Sequence, residues 1–271
     1  MSAAPLPRVA PAAGAAIATP DPHITVRGLV KRFQGVPVYD RFDLDLPRGA
    51  IVSVFGPNGC GKSTLINMIS GILPIDGGEI LFDGRTVAQA RIGYVFQNYR
   101  EALFPWMRAR DNVAYPLKLM GVPPTEQARR IAQLVSSFDL KFDLDRHPYE
   151  LSGGQQQTVS IMRALVTEPE VLFLDEPFSA LDYEMTLTMR DQLQKVLAET
   201  RTTTLLVSHD LDEAIYLADK LLLLTRRPTR IAAYLDVPVA RPRVPASTIE
   251  PGFIALKAEA LAIFQAAVRE S

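Results

Sequence analysis

Nine residues constrain the fold of this chain more than any other stretch. They read Gly56-Pro57-Asn58-Gly59-Cys60-Gly61-Lys62-Ser63-Thr64 and fit the pattern G-x-x-x-x-G-K-[ST]. The glycines let successive backbone N–H groups turn inward toward phosphate oxygens. Lys62 supplies a charge for the β- and γ-phosphates, and the Ser63 hydroxyl is suited to ligate Mg²⁺. The pattern therefore predicts a phosphate-binding loop.

The flanking residues predict the context that such a loop requires. Residues 51–55 are apolar and β-branched, which predicts a buried strand, and residues 65–69 predict a helix that ends near Gly71. The positive N-terminus of that helix would then face the bound anion. Because the four specified positions recur by chance in roughly one chain of this length per hundred, the motif needs support from elsewhere in the sequence.

Composition excludes several classes of protein. The 271 residues carry 29 basic and 30 acidic side chains, so no excess charge points to nucleic acid. The single cysteine, Cys60, excludes an internal disulfide. Residues 1–22 are rich in alanine and proline and are expected to form a disordered tail, not a signal peptide. No apolar run approaches about 18 residues, so we expect no membrane span.

Two carboxylates follow the most apolar strand of the chain. Residues 171–174 predict a fully buried strand of a parallel sheet, and Asp175 and Glu176 come directly after it. We expect Asp175 to hold Mg²⁺ and Glu176 to act as a general base toward water. A solvated acidic turn would fit poorly after four buried residues.

Two further strands end in polar side chains that suit a ligand site. Gln97 follows the strand predicted at 92–96, and His209 follows the strand predicted at 203–207. Ligands of α/β sheets bind at the carboxyl ends of strands, so both are candidates for the site. The other histidines, His23 and His147, have no such setting and are expected to be structural.

A second anion-binding helix start is predicted at Leu151-Ser152-Gly153-Gly154-Gln155. Ser152 is a favourable N-cap residue, and the glycines leave space above a helix that runs to about Thr167. It lies near the end of a helix-rich insert that begins at Asn98 and includes predicted helices at 111–120 and 125–138. The insert also carries an aromatic–proline loop, Phe104-Pro105-Trp106, which is expected to be exposed.

These motifs, in this order and spacing, resemble the nucleotide-binding subunits of ABC transporters over about Ile24 to Leu235. Gly56–Thr64 is similar to the Walker A motif, Val171–Asp175 to Walker B and Leu151–Gln155 to the signature. The Q-loop, D-loop and H-loop positions fall at Gln97, Ser179-Ala180-Leu181-Asp182 and His209. The resemblance implies an α/β P-loop NTPase fold, with a RecA-like parallel core sheet, an antiparallel β subdomain and an α-helical subdomain.

The resemblance also implies domain boundaries and site residues. The ATPase domain would cover 23–235 with the helical subdomain at about 98–165, and a linker and helix would follow at 236–271. Catalysis would rest on Glu176, His209, Lys62 and Gln97, and Mg²⁺ would be held by Ser63, Gln97 and Asp175. ATP would be bound by Phe33, where the family places an adenine-stacking aromatic, and by Gly56, Pro57, Asn58, Gly59, Cys60, Gly61, Lys62, Ser63, Thr64, Ser152, Gly153, Gly154, Gln155 and Asp182.

The family further implies partners and a location. Two copies would meet head to tail with each ATP between the P-loop of one and the signature helix of the other. Integral membrane permease subunits would be direct partners, an external solute-binding protein an indirect one, and nucleic acid none. The chain would lie peripherally on the cytoplasmic face of the inner membrane.

Two loops are similar to a narrower group, the nitrate/sulfonate/taurine-type importers. They are Asn98–Trp106, whose Phe104-Pro105-Trp106 tip is expected near a permease contact or packed on its own subdomain, and Thr225–Ile231. One departure from the family is Thr158, where relatives usually carry arginine. A soluble non-transport ABC ATPase is the alternative function, although such proteins carry a long coiled coil or a second ATPase copy that this sequence lacks.

Overall fold

The computed structural model describes residues 21–179 and 181–269. Most of the predicted tail and Ala180 of the predicted D-loop therefore lie outside the described residues. The strands are β1 (Pro22–Phe33), β2 (Val36–Pro47), β3 (Ile51–Phe55), β4 (Gly77–Phe82), β5 (Ile92–Val95), β6 (Val171–Asp175), β7 (Thr203–Val207), β8 (Lys220–Leu224) and β9 (Ile231–Asp236). The helices are α1 (Lys62–Ile69), α2 (Tyr99–Ala102), α3 (Ala109–Leu119), α4 (Pro124–Ser137), α5 (Gly153–Leu165), α6 (Tyr183–Thr200), α7 (Leu211–Leu217) and α8 (Pro251–Arg269).

A six-stranded sheet positions the functional residues. Its order is β5-β6-β7-β3-β8-β9, and all neighbours are parallel except β8 and β9. In the ladder, Asp175 pairs with Val207, and Val207 in turn pairs with Val54. The carboxyl ends of β5, β6, β7 and β3 therefore lie side by side at one edge of the sheet, as the strand-end residues predicted.

Both faces of this sheet are covered, which explains why its strands read as continuous apolar runs. In β6, Leu172 and Leu174 enter the core formed with the helical side of the molecule. Val171 and Phe173 point the other way, into a core shared with α1 and the β1–β2 hairpin. The predicted parallel core sheet is confirmed.

The other sheet is antiparallel, has the order β2-β1-β4 and corresponds to the predicted β subdomain. Its strands alternate buried and accessible residues over parts of their length, because only one face packs against the core. Val38 and Tyr39 of β2 are fully buried beside the P-loop. This hairpin therefore forms one wall of the site.

Helices α2 to α5 form the helical subdomain, with α3 and α2 packed against α5. Helix α4 buries Ile131 and Leu134 along one face. Asn112 of α3 is fully buried and holds the aromatic loop: its Oδ1 accepts the Phe104 N–H at 2.8 Å, and its Nδ2 donates to the carbonyl oxygens of Phe104 and Met107 at 3.0 and 3.2 Å. The loop therefore has a defined shape.

The C-terminal helix α8 is long and apolar enough to cross a membrane, by length and composition only. The sequence did not predict this, because its apolar residues do not form one continuous run. In the folded chain one face of α8 packs on the core through Phe253, Leu256 and Ala260. Lys257 forms an ion pair with Asp212 of α7 at 2.7 Å. Here α8 is thus packed on the ATPase body.

Candidate functional site

The P-loop lies between β3 and α1, as its pattern predicted. Gly59 and Gly61 have φ angles of 75° and 114°, in a region that side-chain-bearing residues rarely adopt. Lys62 is buried, and its Nζ donates to the carbonyl oxygens of Gly56 at 2.9 Å and Pro57 at 3.2 Å. The ammonium group is therefore held inside the curve of the loop, where phosphate groups would bind.

Two further side chains support the P-loop by hydrogen bonds to its backbone carbonyls. Neither was predicted from the sequence. The Tyr39 hydroxyl donates to the Gly61 carbonyl at 3.0 Å, and the Thr229 hydroxyl donates to the Cys60 carbonyl. A Cβ atom on Gly61 would lie 2.8 Å from Cγ1 of Val38, so only glycine fits. Tyr39 lies in β2 and Thr229 in the connection between β8 and β9, and nothing local in the sequence signals their role.

The carboxylate of Asp175 faces the start of α1. Ser63 Oγ donates to Asp175 Oδ1 at 3.1 Å, and Asp175 is only 6% exposed. Burial, opposed by the Ser63 hydrogen bond and by Lys62 and assisted by the Glu176 carboxylate, raises the pKa of Asp175 to about 6. A cation at this position would relieve the cost of the buried charge.

Glu176 lies at the centre of a group of three functional side chains. Its Oε2 accepts a hydrogen bond from Gln97 Nε2 at 3.1 Å and lies 3.2 Å from His209 Nδ1. Its φ of 48° is left-handed, and its N–H donates to the Val207 carbonyl at 3.0 Å, which fixes this turn. The structure thus brings together three of the four predicted catalytic residues, Glu176, His209 and Gln97, while the fourth, Lys62, lies in the P-loop near Asp175.

The donor set fits Mg²⁺. Ser63 and Asp175 offer a hydroxyl and a carboxylate oxygen within hydrogen-bond distance of each other, and hard oxygen donors are what Mg²⁺ requires. The buried carboxylate has no cationic side chain in direct ion-pair contact within the described residues, which leaves its charge available to a metal. Gln97 is held through its amide nitrogen, so its oxygen is not committed to Glu176.

The signature residues form the predicted capped helix start. Gln155 N–H donates to Ser152 Oγ at 3.4 Å, and Ser152 N–H donates to Gln155 Oε1 at 3.0 Å, a reciprocal capping box. Gly154 is buried against α6, where a Cβ atom would lie 2.4 Å from Sδ of Met185. Thr158 is buried one turn later and donates to the Gly154 carbonyl at 2.9 Å, so the departure from arginine is accommodated locally.

The structure does not bring every predicted ATP-binding residue to the P-loop. Within residues 21–179 and 181–269, no hydrogen bond or ion pair joins residues 152–155 to residues 56–64. Asp182 caps α6 by accepting the Met185 N–H at 2.8 Å. Phe33, at the end of β1, is partly exposed, and Lys31 Nζ lies 5.4 Å from its ring centre.

Comparison with known proteins agrees with this geometry. Residues 39–179 match the family model described as ABC transporter. The sn-glycerol-3-phosphate import ATP-binding protein UgpC 1 of Rhizobium johnstonii is 41% identical over 74% of this chain, and this chain spans 55% of that longer relative. An ATP-binding protein of Brucella abortus is 37% identical over 87% of this chain and 91% of its own length.

A solved structure shows the same fold. It is the dimeric ATP-binding cassette in a post-hydrolysis state bound to ADP and Pi, with a TM-score of 0.68 and 26% identity. The alignment covers 79% of this chain and 98% of the other. With the P-loop, the strand-end carboxylates and the capped signature helix in place, the chain belongs to the ABC transporter family, as an ATP-binding subunit.

Proposed function

We propose that this chain hydrolyses ATP with Glu176 as the general base and that hydrolysis powers solute import through separate permease subunits. The observation that carries the proposal is the position of the Glu176 carboxylate, which lies within 3.2 Å of both Gln97 and His209 and beside the Asp175–Ser63 pair. Glu176 would take a proton from the attacking water. His209 would contact the γ-phosphate and hold the carboxylate in place.

The phosphate groups would be held by the P-loop backbone and Lys62, and adenine by Phe33. When bound at Ser63, Asp175 and Gln97, Mg²⁺ would neutralise phosphate charge. Both glycine conformations and the support from Tyr39 and Thr229 favour a loop shaped before nucleotide arrives. The chain itself thus orients the phosphates and places the base.

A second copy of the chain would complete each site. Ser152, Gly153, Gly154 and Gln155 form an anion-binding helix start that makes no hydrogen bond or ion pair to the P-loop of its own chain within the described residues. The related dimeric cassette supports a partner that supplies this helix to the opposite P-loop. ATP would then stabilise the dimer and hydrolysis would release it.

The permease contact is proposed at the loop Phe104-Pro105-Trp106. Trp106 is 73% exposed, and its ring stacks near Phe104, with centroids 5.5 Å apart. A cleft of about 740 Å³ runs from Phe104 and Tyr115 past Glu101 to Gln97 and Asp175. A permease helix bound at the mouth of this cleft would therefore act on the residues that hold the catalytic carboxylate, at the cytoplasmic face of the inner membrane.

The solute class rests on two lines of support. The loops resemble those of nitrate/sulfonate/taurine-type importers, whereas the Rhizobium relative is named for sn-glycerol-3-phosphate import. Nitrate, sulfonates and glycerol-3-phosphate are all small anions. We propose a small solute that carries an anionic group, with the nitrate/sulfonate/taurine group as the narrower prediction and an external solute-binding protein as the component that selects it.

The test is capture of partners with tagged Glu176→Gln from native membranes treated with ATP. Recovery of a hydrophobic permease would support the transport role, and its companion binding protein would then be titrated with nitrate, sulfonates, taurine and glycerol-3-phosphate. Lys62→Ala, captured in parallel, controls for binding that does not depend on ATP. Recovery of the protein alone, as an ATP-bound dimer, would favour the alternative of a soluble, non-transport ATPase.

A further inference from the structure

The helix that follows His209 is fixed at its far end by two arginines from the segment after β9. Arg243 Nη1 donates to the carbonyl oxygens of Ile215 at 3.0 Å, Tyr216 at 2.9 Å and Ala218 at 2.7 Å. Arg241 Nη2 donates to the carbonyl of Leu217. The final carbonyls of α7, which no helical N–H can satisfy, are thus all bonded by two side chains.

Arg243 is among the most deeply buried side chains of the described residues, at 2% exposure. Its Nε and Nη2 both donate to the Val239 carbonyl, at 3.2 and 2.9 Å, and no carboxylate in the described part of the chain forms an ion pair with it. Burial lowers the pKa of Arg243 to about 10, so the group stays charged at neutral pH. The negative end of α7 takes the place of a counter-ion.

The backbone of Arg243 is anchored on a different helix. Its N–H donates to Gln194 Oε1 of α6 at 2.7 Å, and its carbonyl accepts from Gln194 Nε2 at 2.8 Å. The Tyr216 hydroxyl lies 2.6 Å from the same carbonyl. Arg243 therefore connects α6 rigidly to the end of α7.

The near end of α7 holds both neighbours of His209. Asp210 Oδ1 accepts the N–H groups of Asp212 at 2.7 Å and Glu213 at 3.2 Å. Ser208 Oγ donates to Glu213 Oε2 at 2.8 Å and accepts the Asp210 N–H at 3.0 Å. A shift or fraying of α7 would consequently be transmitted to His209, which lies 3.2 Å from the Glu176 carboxylate.

We propose that Arg243 is a positioning residue for ATP hydrolysis, because it fixes α7 from the C-terminal segment and thereby holds His209 against Glu176. The proposal rests on the function proposed above for His209. It assigns a task to a residue that lies outside the segment matching the family model and outside every motif of the sequence.

The test compares full-length Arg243→Lys and Arg243→Gln with Leu46→Ala, a buried substitution in β2 that lowers stability away from α7. Lysine keeps the charge but has three N–H donors in place of five, so it cannot bond the α7 carbonyls and the Val239 carbonyl together. We expect amide hydrogen exchange at residues 211–219 to become at least about tenfold faster in Arg243→Lys and to stay unchanged in Leu46→Ala. We also expect kcat to fall about tenfold with ATP affinity retained.

A double-mutant cycle with His209→Ala separates positioning from a general structural effect. If Arg243 acts through His209, Arg243→Lys will cause no further loss of the residual rate in the His209→Ala background. An equal loss in both backgrounds, or unchanged exchange in α7, would overturn the proposal. Full turnover by His209→Ala alone would instead overturn the role of His209, while the exchange data would still report on α7. If Arg243→Gln does not fold, Arg243→Lys carries the test.

Discussion

The Glu176 carboxylate and the His209 imidazole lie 3.2 Å apart although they end different strands, β6 and β7. The two strands are neighbours in the sheet, and the Glu176 N–H donates to the carbonyl of Val207, two residues before His209. Their proximity is thus set by the parallel ladder and the turn that follows it. The positions of these two proposed catalytic side chains are therefore determined by the sheet and not by a flexible loop.

Replacement of Glu176 by glutamine should separate ATP binding from hydrolysis. The amide keeps the size of the side chain but cannot accept a proton from water, so we expect phosphate release to fall by about 10² to 10⁴-fold. ATP binding should persist, and the ATP-bound dimer should be visible by size-exclusion chromatography. Normal turnover in this variant would rule out Glu176 as the base.

Replacement of Lys62 by alanine should abolish high-affinity ATP binding. The loss removes a charge-assisted contact of about 1.5–3 kcal/mol, which corresponds to at least a tenfold rise in Kd measured by calorimetry. Lys220→Ala is the control, because it also removes an ionic contact, the pair with Asp236 of β9, and lies at the amino end of β8, away from the P-loop. Unchanged affinity in Lys62→Ala would contradict the phosphate-binding assignment.

Asp175 should make the nucleotide-free protein less stable as pH rises from about 4 to 6. Its pKa is about 6 in the fold against the usual 3.8 of an aspartate, so the folded state holds the proton more tightly. Above pH 6 the ionised carboxylate then costs the fold up to about 3 kcal/mol. Asp175→Asn should therefore raise the denaturation midpoint at pH 7, in EDTA, and should flatten its dependence on pH.

The matched control for that measurement is Asp145→Asn, which alters a half-exposed carboxylate paired with Arg110. Its midpoint at pH 7 should change little, since exposed ion pairs contribute about 0–1 kcal/mol. If the denaturation midpoints of both variants depended on pH in the same way, burial of Asp175 would not be what makes stability depend on pH.

Removal of the Tyr39 hydroxyl should destabilise the conformation of the P-loop, although Tyr39 is not among the residues predicted to bind ATP. Tyr39→Phe removes the 3.0 Å hydrogen bond to the Gly61 carbonyl, which keeps the Leu65 N–H at 2.8 Å, so we expect a cost of about 0.5–1.5 kcal/mol in the free energy of unfolding. We expect ATP affinity to fall severalfold as the loop loses its shape. Tyr234→Phe, which removes a hydroxyl bonded to the Asp45 carbonyl at 3.2 Å, should lower stability but leave ATP affinity unchanged.

Replacement of Trp106 by alanine should weaken binding of the permease but should not change ATP hydrolysis by the isolated subunit. Trp106→Ala removes an exposed ring, so the ATPase rate of the isolated subunit should stay the same while capture of the permease by Glu176→Gln is lost. Leu119→Ala, at a similarly exposed apolar residue on α3, is the control. Equal capture with and without the indole would place the permease contact elsewhere.

Local patterns predicted most of the elements and the central site. The bounds of β3 and β7 agree with the predicted strands, and the fold class is confirmed. The residues that follow the strands lie close together because a parallel sheet places the carboxyl ends of its strands at one edge. The order of the motifs along the sequence already implied this arrangement. Helix α7 was not predicted, since seven residues carry too little periodicity to distinguish them from a loop.

The supports of the site could not be predicted, because they depend on contacts between distant segments. Tyr39 and Thr229 bond adjacent P-loop carbonyls, yet each belongs to an apolar or loop segment with no distinguishing pattern. Arg243 lies in a proline-rich stretch whose composition indicates a connection, whereas the structure buries it in the ATPase body. Long-range hydrogen bonds to backbone carbonyls leave no trace in local sequence.

The contact between Gly154 and Met185 has a consequence for two bound nucleotides. Gly154 lies at the signature turn and Met185 in the first turn of α6, whose cap is Asp182, and their atoms are too close for even a methyl group between them. The signature turn and the first turn of α6 are therefore packed as neighbours on one surface of the chain. In the proposed head-to-tail dimer, both would approach the ATP bound to the partner's P-loop from the same side.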